Sequence, residues 1–527
     1  MKDKKTFTVN IDKAIEEGAQ HLTKNFDTEQ DDRPWFEVRL EKDKPGYLFH
    51  FESLDDPHAP GRALDAMLSA ETMTDFTAGE EVIEKYKKAV RRSVNAPDRL
   101  PGIFNSEGKR QVFFHNFREA LLAYNALYRY RNDREAFSLA NEMLEILLYL
   151  ENGTGYWDSE RMRDYRGKTG NPDFIENNDP TNSAGRLIYP LIKWHETTGN
   201  REALDLAHRF AAYALKECFD SEGRFSKRVG FHVHSITSAF SGICDCKLYD
   251  KNLCEFETAR LEKIFKTSIL PLSSVTGWVK ELKDRPGMGG EVNSTGDIIQ
   301  TMLILYRLTE NYDYLSAAEK AIRGHLLPSQ VFPEDIPENF RIQMANPDEM
   351  HKNIAERMTG GFGFPFPEER APLHYDNPYC RITTLDITGG AVQALCRIKL
   401  FSVEKCRDKY TVNLLLPQKL PGISLEQTAL NKFILTTALP AEMRIPDCAS
   451  FSDNGEIHGF RKSFLFSPGR HEIVFAFNKK TVKENLFGNE YVTEFIGEQA
   501  VKIIPEGKIS NMLSAFSDSG IEKAVNG

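Results

Sequence analysis

Residues 289–315, GGEVNSTGDIIQTMLILYRLTENYDYL, join two glycines, a polar segment and a strongly apolar segment in one continuous stretch. The apolar residues that recur at helical spacing are Ile298, Ile299, Met302, Leu303 and Tyr306. This spacing predicts a helix with one buried face. A break at Asn311 then precedes a second helical pattern. The stretch therefore predicts a helical hairpin.

The same layout of helix, short polar break and helix occurs three more times, with breaks at Asn132, Asn200 and Asp250. The period of roughly 50 to 70 residues is too long for the common short repeats and suits hairpins with variable loops. One further hairpin can be placed upstream, and the helical pattern around residues 385–404 can close on an N-terminal partner. Six hairpins in a ring predict a mainly α fold, an (α/α)6 toroid.

The pattern changes after about Asp408. The segments that follow are short, often alternate between apolar and polar residues, and are separated by Pro, Gly, Asn and Asp. Such segments are typical of antiparallel strands in a β-sandwich. We therefore expect a barrel over residues 1–407, a small C-terminal β-sandwich over 408–510 and a tail over 511–527.

Charge and hydropathy exclude several classes of partner. The net charge of -10 is spread along the chain, and no basic cluster interleaves with aromatic residues, so no nucleic-acid partner is expected. No segment approaches the ~20 apolar residues that a membrane span needs. These features predict a cytoplasmic protein, or a periplasmic or secreted one if a signal has been removed. A homodimer is a possible assembly.

The eight cysteines do not form a disulfide framework in so long a chain. Cys244 and Cys246 are separated by one residue, which is not a CxxC motif, so buried free thiols are expected and structural zinc is not. The chain also lacks a phosphate-binding loop, a dinucleotide fingerprint and an HExxH motif. No cofactor and no metal are predicted.

Polar residues cluster around the start of the helix in the opening stretch. Glu291, Asn293 and Asp297 could simply cap the helix, since acidic and amide side chains satisfy its first amides. The preceding sequence GMGGE favours a functional interpretation, because adjacent glycines allow close approach of backbone or ligand. The nearby TGWVKE adds Trp278 and Glu281 to the same loop end. Two carboxylates and an indole suit sugar chemistry: a proton donor, its partner and a stacking surface.

Two histidines, His232 and His234 in FHVHS, could bind a metal, contact a sugar or relay a proton. A metal needs further ligands that no nearby spacing supplies, so contact with a ligand is favoured. The loops add Phe364 in MTGGFGFPF and Asp179 in IENNDP. Each can line a carbohydrate subsite, or only seal the core edge and form a turn.

An ordered series of motifs resembles the β-L-arabinofuranosidase family of the six-hairpin glycosidases: TGWVKE, GGEVNSTGDIIQ, MTGGFGFPF, LDITGGAVQAL and AEMRIPD. The resemblance runs from about His232 to Phe477 and implies an (α/α)6 barrel followed by β-sandwich material. It places the general acid/base glutamate on Glu281 and the metal-binding glutamate on Glu291. Asn293 and Asp386 stand where the family has cysteines, so the resemblance does not carry the zinc and thiolate mechanism to this chain.

These observations predict an exo-acting glycoside hydrolase, on an oligosaccharide that could contain uronic acid. Glu281 would be the general acid, and Glu291 or Asp386 its partner. A carboxyl separation of ~5 Å would favour retention of anomeric configuration, and ~6.5 to 9.5 Å inversion. Two alternatives remain: a polysaccharide lyase of the toroid type, in which Asn293 and a histidine neutralise a uronate, and a carbohydrate-binding protein without catalysis.

Overall fold

The structure is a computed structural model of the chain. It describes residues 9–41, 43–169, 172–175, 179–249, 257–284, 290–342, 347–364, 379–486 and 489–505. The tail predicted over 511–527 and the break predicted at Asp250 lie outside these residues.

The helices of the described residues are, in chain order, α1 (Ile11–Leu22), α2 (Glu52–Asp55), α3 (Ala59–Met73), α4 (Glu80–Val94), α5 (His115–Arg131), α6 (Arg134–Glu151), α7 (Ser159–Thr169), α8 (Ile188–Thr198), α9 (Arg201–Cys218), α10 (Val233–Tyr249), α11 (Thr258–Ile264), α12 (Val292–Thr309), α13 (Asp313–Ala321), α14 (Glu338–Arg341), α15 (Ile354–Met358) and α16 (Leu385–Ser402). Short 3-10 or π turns precede α8 and extend α11 and α13.

Six of these helices form a closed inner ring. The contacts run from α3 to α5, α8, α10, α12 and α16, and α16 packs back against α3. Outside this ring, α4 contacts α3, α6 contacts α5, α9 contacts α8, α11 contacts α12 and α13 contacts α12, while α1 packs against both α3 and α16. The predicted closure between the last helix and an N-terminal partner is therefore present, and the (α/α)6 fold is confirmed.

The predicted breaks of the first two hairpins act as helix caps. Asn132 ends α5 in the left-handed conformation with φ 52°, which asparagine tolerates better than most residues. The side chain of Asp133 then accepts from the amide of Ala136, and Asn200 accepts from the amide of Ala203 in the same way. Each side chain satisfies one of the amides that a helix start leaves unpaired. Because one helix ends and the next begins within a few residues, the two helices of each hairpin lie side by side.

Strands in the first part of the chain lie around the barrel: β1 (Phe26–Asp27), β2 (Arg33–Pro34), β3 (Glu37–Glu41), β4 (Tyr47–Phe49), β5 (Gly102–Phe104), β6 (Arg110–Phe113), β7 (Asp173–Ile175) and β8 (Tyr379–Thr384). β3 pairs antiparallel with β4 and with β8, with Glu37 opposite Thr384, the residue that caps α16. This small sheet, which the sequence did not predict, brings Glu37 to the N-terminal end of α16.

The C-terminal strands are β9 (Val403–Cys406), β10 (Lys409–Val412), β11 (Gln418–Leu420), β12 (Ile423–Ala429), β13 (Lys432–Thr437), β14 (Ala441–Arg444), β15 (Cys448–Asp453), β16 (Glu456–Gly459), β17 (Ser463–Phe466), β18 (Gly469–Phe477), β19 (Lys479–Leu486), β20 (Asn489–Ile496) and β21 (Gln499–Ile504). They form a four-stranded sheet β17-β14-β10-β9, a six-stranded sheet β11-β12-β13-β18-β15-β16 and a three-stranded sheet β19-β20-β21.

The first two of these sheets share one apolar core, as expected of a β-sandwich. Val412 and Met443 from the smaller sheet pack in the same buried cluster as Phe433 and Phe475 from the larger one. The first strand already begins at Val403, directly after α16, so the predicted boundary at 407/408 falls inside the β9–β10 hairpin. The limits of the three segments stay a prediction.

The sandwich is fixed to the barrel by a buried ion-pair network. The Arg444 guanidinium contacts the carboxylates of Glu319 in α13 and Glu498, and all three residues are buried. Glu319 Oε2 also accepts from the amide of Leu415 at 3.0 Å. Within the described residues no helix is long and apolar enough to cross a membrane. Cys218, Cys396 and Cys448 are buried free thiols, and Cys406 is an exposed one.

Candidate active site

The candidate site lies where the inner helices begin. In chain order the inner helices begin at Ala59, His115, Ile188, Val233, Val292 and Leu385, and each is followed along the chain by an outer helix or by the sandwich. Parallel inner helices therefore present their first turns to one end of the barrel, here called the mouth. A residue near the start of any inner helix can face this end, however far apart the residues lie in sequence.

Glu281 is held at the mouth by backbone contacts to two inner helices. Its carbonyl accepts from the amide of Val233, the first residue of α10, at 2.9 Å. The neighbouring Lys280 forms a β-bridge with Gly290, which directly precedes Glu291. The loop that carries Glu281 is thus tied to the starts of α10 and α12, and this tie brings the two predicted carboxylates together.

The electrostatics of Glu281 are those of a proton donor at neutral pH. Burial and, to a smaller extent, the nearby Glu291 carboxylate raise the pKa of its carboxyl to about 7, while His232 acts in the opposite direction. Burial disfavours the charged form, and a second carboxylate close by does the same. Glu281 is therefore protonated over a pH range in which an ordinary glutamate is ionised.

Glu291 is the N-terminal cap residue of α12 and is buried. Its Oε1 accepts from Asn293 Nδ2 at 3.1 Å, and its Oε2 lies 3.3 Å from His232 Nε2. Its side chain makes no capping hydrogen bond to the helix backbone. The simple capping interpretation of Glu291 therefore does not describe its contacts, which are to side chains of the mouth.

The predicted substrate-binding residue Trp278 supports Glu291 from behind. Its side chain is only 4% exposed, and its Nε1 would lie 2.5 Å from a Cβ placed on Gly290. Any larger residue at Gly290 would clash with the indole, which explains the glycine before Glu291. Trp278 thus packs inside the loop, and the expectation of an exposed stacking surface is not met by this arrangement.

Asp386, in the first turn of α16, completes a chain of side chains across the mouth. Its Oδ2 accepts from Asn293 Nδ2 at 3.4 Å, so Asn293 bridges Glu291 and Asp386. Its Oδ1 lies 3.0 Å from Arg62 Nε and 3.1 Å from His58 Nε2. Burial alone would raise the pKa of Asp386, but Arg62 and His58 outweigh it and hold that pKa well below its usual range. Asp386 is therefore a fixed carboxylate.

Arg62, on α3, is the cation at the centre of the site. Its side chain is fully buried, and its Nε lies 3.2 Å from Glu119 Oε2 as well as 3.0 Å from Asp386 Oδ1. A Cβ on the adjacent Gly61 would lie 2.0 Å from the Glu119 carbonyl, so the glycine allows α3 to approach α5. A buried charge is tolerated when it is paired in this way.

His58, Glu119 and Asp386 could in principle hold a metal ion, since one ligand atom from each lies within 4.8 Å of the others. Carboxylates and imidazoles are common ligands of divalent metals. The Arg62 guanidinium, however, already contacts both carboxylates, so a divalent cation at this point would meet a fixed positive charge. The donor set fits a guanidinium better than a metal.

The two predicted histidines lie at different depths. His232 is part-exposed at the mouth, where its Nδ1 lies 2.8 Å from Ser235 Oγ and its Nε2 faces Glu291. His234 is buried deeper, with its Nε2 2.6 Å from Arg62 Nη2 and 3.0 Å from Arg118 Nη1. Burial and these arginines hold the pKa of His234 well below its usual value. His234 is thus a neutral ring that accepts from two guanidiniums.

Asp297 lies beside His234, one and a half turns into α12. Its Oδ2 lies 2.9 Å from His234 Nδ1 and accepts from Thr237 Oγ1 at 2.8 Å. Burial raises the pKa of Asp297 to about 7, against the opposing effect of Arg118 and of the Thr237 hydrogen bond. The predicted residues of α12 therefore divide into a pair at the mouth, Glu291 and Asn293, and a deeper residue, Asp297.

The two remaining predicted residues have structural contacts. Asp179 is buried, and its Oδ1 accepts from both the amide and the hydroxyl of Thr181, which forms the turn that leads toward α8. This is the turn chemistry that the sequence offered as the alternative. Phe364 is half-buried and packs against the barrel core. Neither contact assigns the residue to a ligand.

Several residues of the site were not predicted from the sequence. They are Glu37, His58, Arg62, His115, Arg118, Glu119 and Arg186. His58 and Arg62 flank the start of α3, and His115, Arg118 and Glu119 occupy the first turn and a half of α5. These positions correspond to those of Glu291 and Asn293 on α12. The same first-turn rule, applied to α3 and α5, would have found these five residues, whereas Glu37 lies on β3.

No protein-family model and no curated protein sequence matches the chain. Solved structures do match. A GH127 β-arabinofuranosidase has a TM-score of 0.55 at 12% identity, over 93% of this chain and 78% of that one. A protein described as a glycoside hydrolase has a TM-score of 0.53 at 12% identity, over 84% and 77%. A GH127 β-L-arabinofuranosidase from Geobacillus stearothermophilus T6 has a TM-score of 0.50 at 12% identity, over 93% and 80%.

The structural neighbours thus include GH127 β-L-arabinofuranosidases, the family that the sequence motifs resemble. At this identity the similarity shows the fold, and it confirms the (α/α)6 barrel with a C-terminal β-sheet region. What the neighbours act on is a property of those proteins. The function of this chain has to be argued from its own site.

Proposed function

We propose that this protein is a glycoside hydrolase that cleaves an oligosaccharide by general acid/base catalysis with carboxyl groups. The observation that carries the proposal is the pair Glu281 and Glu291 at the mouth. Their mutual repulsion and the burial of Glu281 raise the pKa of Glu281 to about 7. A carboxyl group that keeps its proton near neutral pH beside a second carboxyl group is an arrangement that glycoside hydrolysis uses.

Glu281 is assigned as the general acid, because it keeps its proton near neutral pH and can give it to the glycosidic oxygen. Glu291 is assigned as the partner, acting on water or on the anomeric carbon. Asn293 and His232 position its two oxygens. Asp386, which the sequence left as an alternative partner, is assigned as a positioning residue, because one of its oxygens is engaged by Arg62 and His58 and the other by Asn293.

We further propose that catalysis needs no metal. The Arg62 guanidinium supplies positive charge to Glu119 and Asp386 at the point where a cation would otherwise be held. An acidic, uronic-acid-containing oligosaccharide is the preferred substrate class. Three buried arginines, Arg62, Arg118 and Arg186, cluster around Glu119 and give this region a basic character that would attract a sugar carboxylate.

The test is incubation with uronate-ended and neutral oligosaccharides, followed by analysis of the products. New reducing ends without an unsaturated product are expected, and Glu281→Gln should abolish most of the turnover. Asp284→Asn is the matched control, because this exposed carboxylate lies three residues away and pairs only with Lys283 among the described residues. Growth of absorbance from an unsaturated uronate would indicate a lyase, and sugar binding without any product would indicate a binding protein.

A further inference from the structure

Beneath the catalytic pair, on the axis of the barrel, lies a small cavity that shares Arg62 and Arg118 with the arginine cluster around Glu119. We call it the axial cavity, and define it by Arg62, Arg118, His234, Ser241, Asp297 and Gln393, which line it. These residues come from α3, α5, α10, α12 and α16. Its volume of about 20 Å³ suits one or two water molecules or one small ion, and is far too small for a sugar ring.

Three buried hydrogen-bond donors without partners belong to residues that line this cavity. Arg62 uses its Nε for Glu119 and Asp386 and its Nη2 for His234, but its buried Nη1 has no acceptor among the described residues. Arg118 Nη1 reaches His234, whereas its buried Nε has none. The buried hydroxyl of Ser241 is likewise unpaired within the described chain. Donors of charged groups buried without an acceptor are costly, so a missing acceptor is indicated.

The charges of the cavity wall favour an anion over water as that acceptor. Arg62 and Arg118 contribute two positive charges. His234 is held neutral, and burial raises the pKa of Asp297 to about 7, so below neutral pH its carboxyl is mostly uncharged. Burial and the charge of Arg62 also lower the pKa of Arg118, against the opposing effect of the Glu119, Asp297 and Asp386 carboxylates. Glu119 and Asp386 engage Arg62 through its Nε, while its Nη1 stays unpaired.

We infer that the axial cavity binds one small monovalent anion of the size of chloride, held by the Arg62 and Arg118 guanidiniums and the Ser241 hydroxyl. Charge-assisted N–H donors are strong ligands for such an ion. The inference does not rest on the proposed function, since it concerns the ligand-free protein. Its failure would leave the assignment of Glu281 and Glu291 untouched.

The direct test uses bromide as an anomalous scatterer. Crystals of the ligand-free full chain, grown in sodium bromide below pH 7, should show a bromine peak between the two guanidiniums. In Ser241→Val the added methyl groups fill the cavity, and the peak should be lost although the fold is kept. Ser241→Ala, which removes the hydroxyl without filling the space, should retain a weaker peak. Density for water alone in the wild-type cavity would overturn the inference.

A solution measurement tests the same inference without crystals. The Tm should be about 1–2 °C higher in sodium chloride than in sodium gluconate of equal ionic strength, because gluconate is too large to enter. This difference should vanish in Ser241→Val, whose Tm in gluconate shows whether the variant folds. Equal Tm values of the wild-type protein in the two salts would contradict anion binding.

Discussion

Charged side chains lie at both ends of the inner helices, but they are paired differently at the two ends. At the C-terminal half of the ring, Lys193 Nζ lies 2.6 and 2.8 Å from the two oxygens of Asp65, and Arg397 Nη2 lies 3.1 Å from each oxygen of Asp245. At the mouth, Asn293 Oδ1 and Arg62 Nη1 have no hydrogen-bond partner among the described residues.

This difference separates charged groups that stabilise the fold from polar groups that can bind a ligand. Paired buried charges hold helices in register and gain nothing from a ligand. Buried polar atoms left without partners are costly, and they persist where a ligand or a reacting group completes them. The two ion pairs at the C-terminal half are thus complete, whereas Arg62 at the mouth keeps a buried donor that a ligand can engage. Each of the following variants should affect one end without affecting the other.

The largest expected effect is on catalysis at the mouth. Glu291→Gln should lower kcat/KM about 10²–10⁴-fold, since it removes the carboxylate that partners Glu281 while keeping the shape of the side chain. The control is Glu196→Gln, which changes a carboxylate that lines the opposite end of the barrel. Comparable losses of kcat/KM in Glu291→Gln and Glu196→Gln would show that the two ends of the barrel do not differ in catalysis.

The largest expected effect on stability is at the opposite end. Asp65→Asn leaves the buried Lys193 ammonium without its counter-charge and should lower the free energy of unfolding by about 3–5 kcal/mol. Its kcat should stay within about threefold of the wild-type value, because Asp65 contacts no residue of the catalytic pair.

Urea unfolding and steady-state kinetics measure the two quantities. The control is Asp164→Asn, which breaks an exposed pair with Lys168 and should leave the free energy of unfolding nearly unchanged. A large loss of kcat in folded Asp65→Asn would show that this end takes part in catalysis.

The pH dependence should report the raised pKa of Glu281. Because the general acid must be protonated, kcat/KM should fall as pH rises through about 7. The profile of Glu281→Gln, measured on the residual activity, should lack this limb. If the fall of kcat/KM at high pH persists unchanged in the variant, a group other than Glu281 causes it.

The same shift predicts a smaller effect on stability. The folded protein keeps protons on Glu281 and Asp297 up to pH about 7, whereas the unfolded chain releases them near the ordinary carboxyl pKa. Between these values the folded state binds more protons, so the free energy of unfolding should decrease as pH rises. The double variant Glu281→Gln/Asp297→Asn should show a flatter dependence in urea titrations from pH 5 to 7. An equally steep dependence in the double variant would show that other groups cause it.

The smallest expected effect is that of a chelator. EDTA treatment followed by desalting should leave kcat within experimental error, because Arg62 stands where the carboxylates would hold a cation. Loss of activity that zinc or another divalent ion restores would contradict the metal-free proposal.

Much of the barrel could be predicted because its rules are local. Helical spacing in 289–315 and the polar breaks at Asn132 and Asn200 depend on neighbours in sequence, and the structure confirms the helices that they separate. The pairing of β3 with β8 could not be predicted, because the two strands come from opposite ends of the barrel's sequence and such a pairing leaves little trace in either segment.

The site could be predicted only in part for a similar reason. Glu281, Glu291 and Asn293 stand out because glycines and polar residues gather in one stretch. Arg62 and Glu119 meet across 57 positions, and Asp386 joins them only when the ring closes. Trp278 was assigned to a subsite by residue type, whereas its depth of burial depends on the loop that folds over it.

If Glu281 donates the proton to the leaving group, the loss of kcat/KM in Glu281→Gln must depend on the acidity of that leaving group. The measurement compares wild-type protein and Glu281→Gln on aryl glycosides of the sugar found in the product screen. The loss in kcat/KM should be about 10²–10⁴-fold with a poor leaving group and less than about tenfold with dinitrophenolate, which departs without a proton. Equal losses with both leaving groups would contradict the assignment.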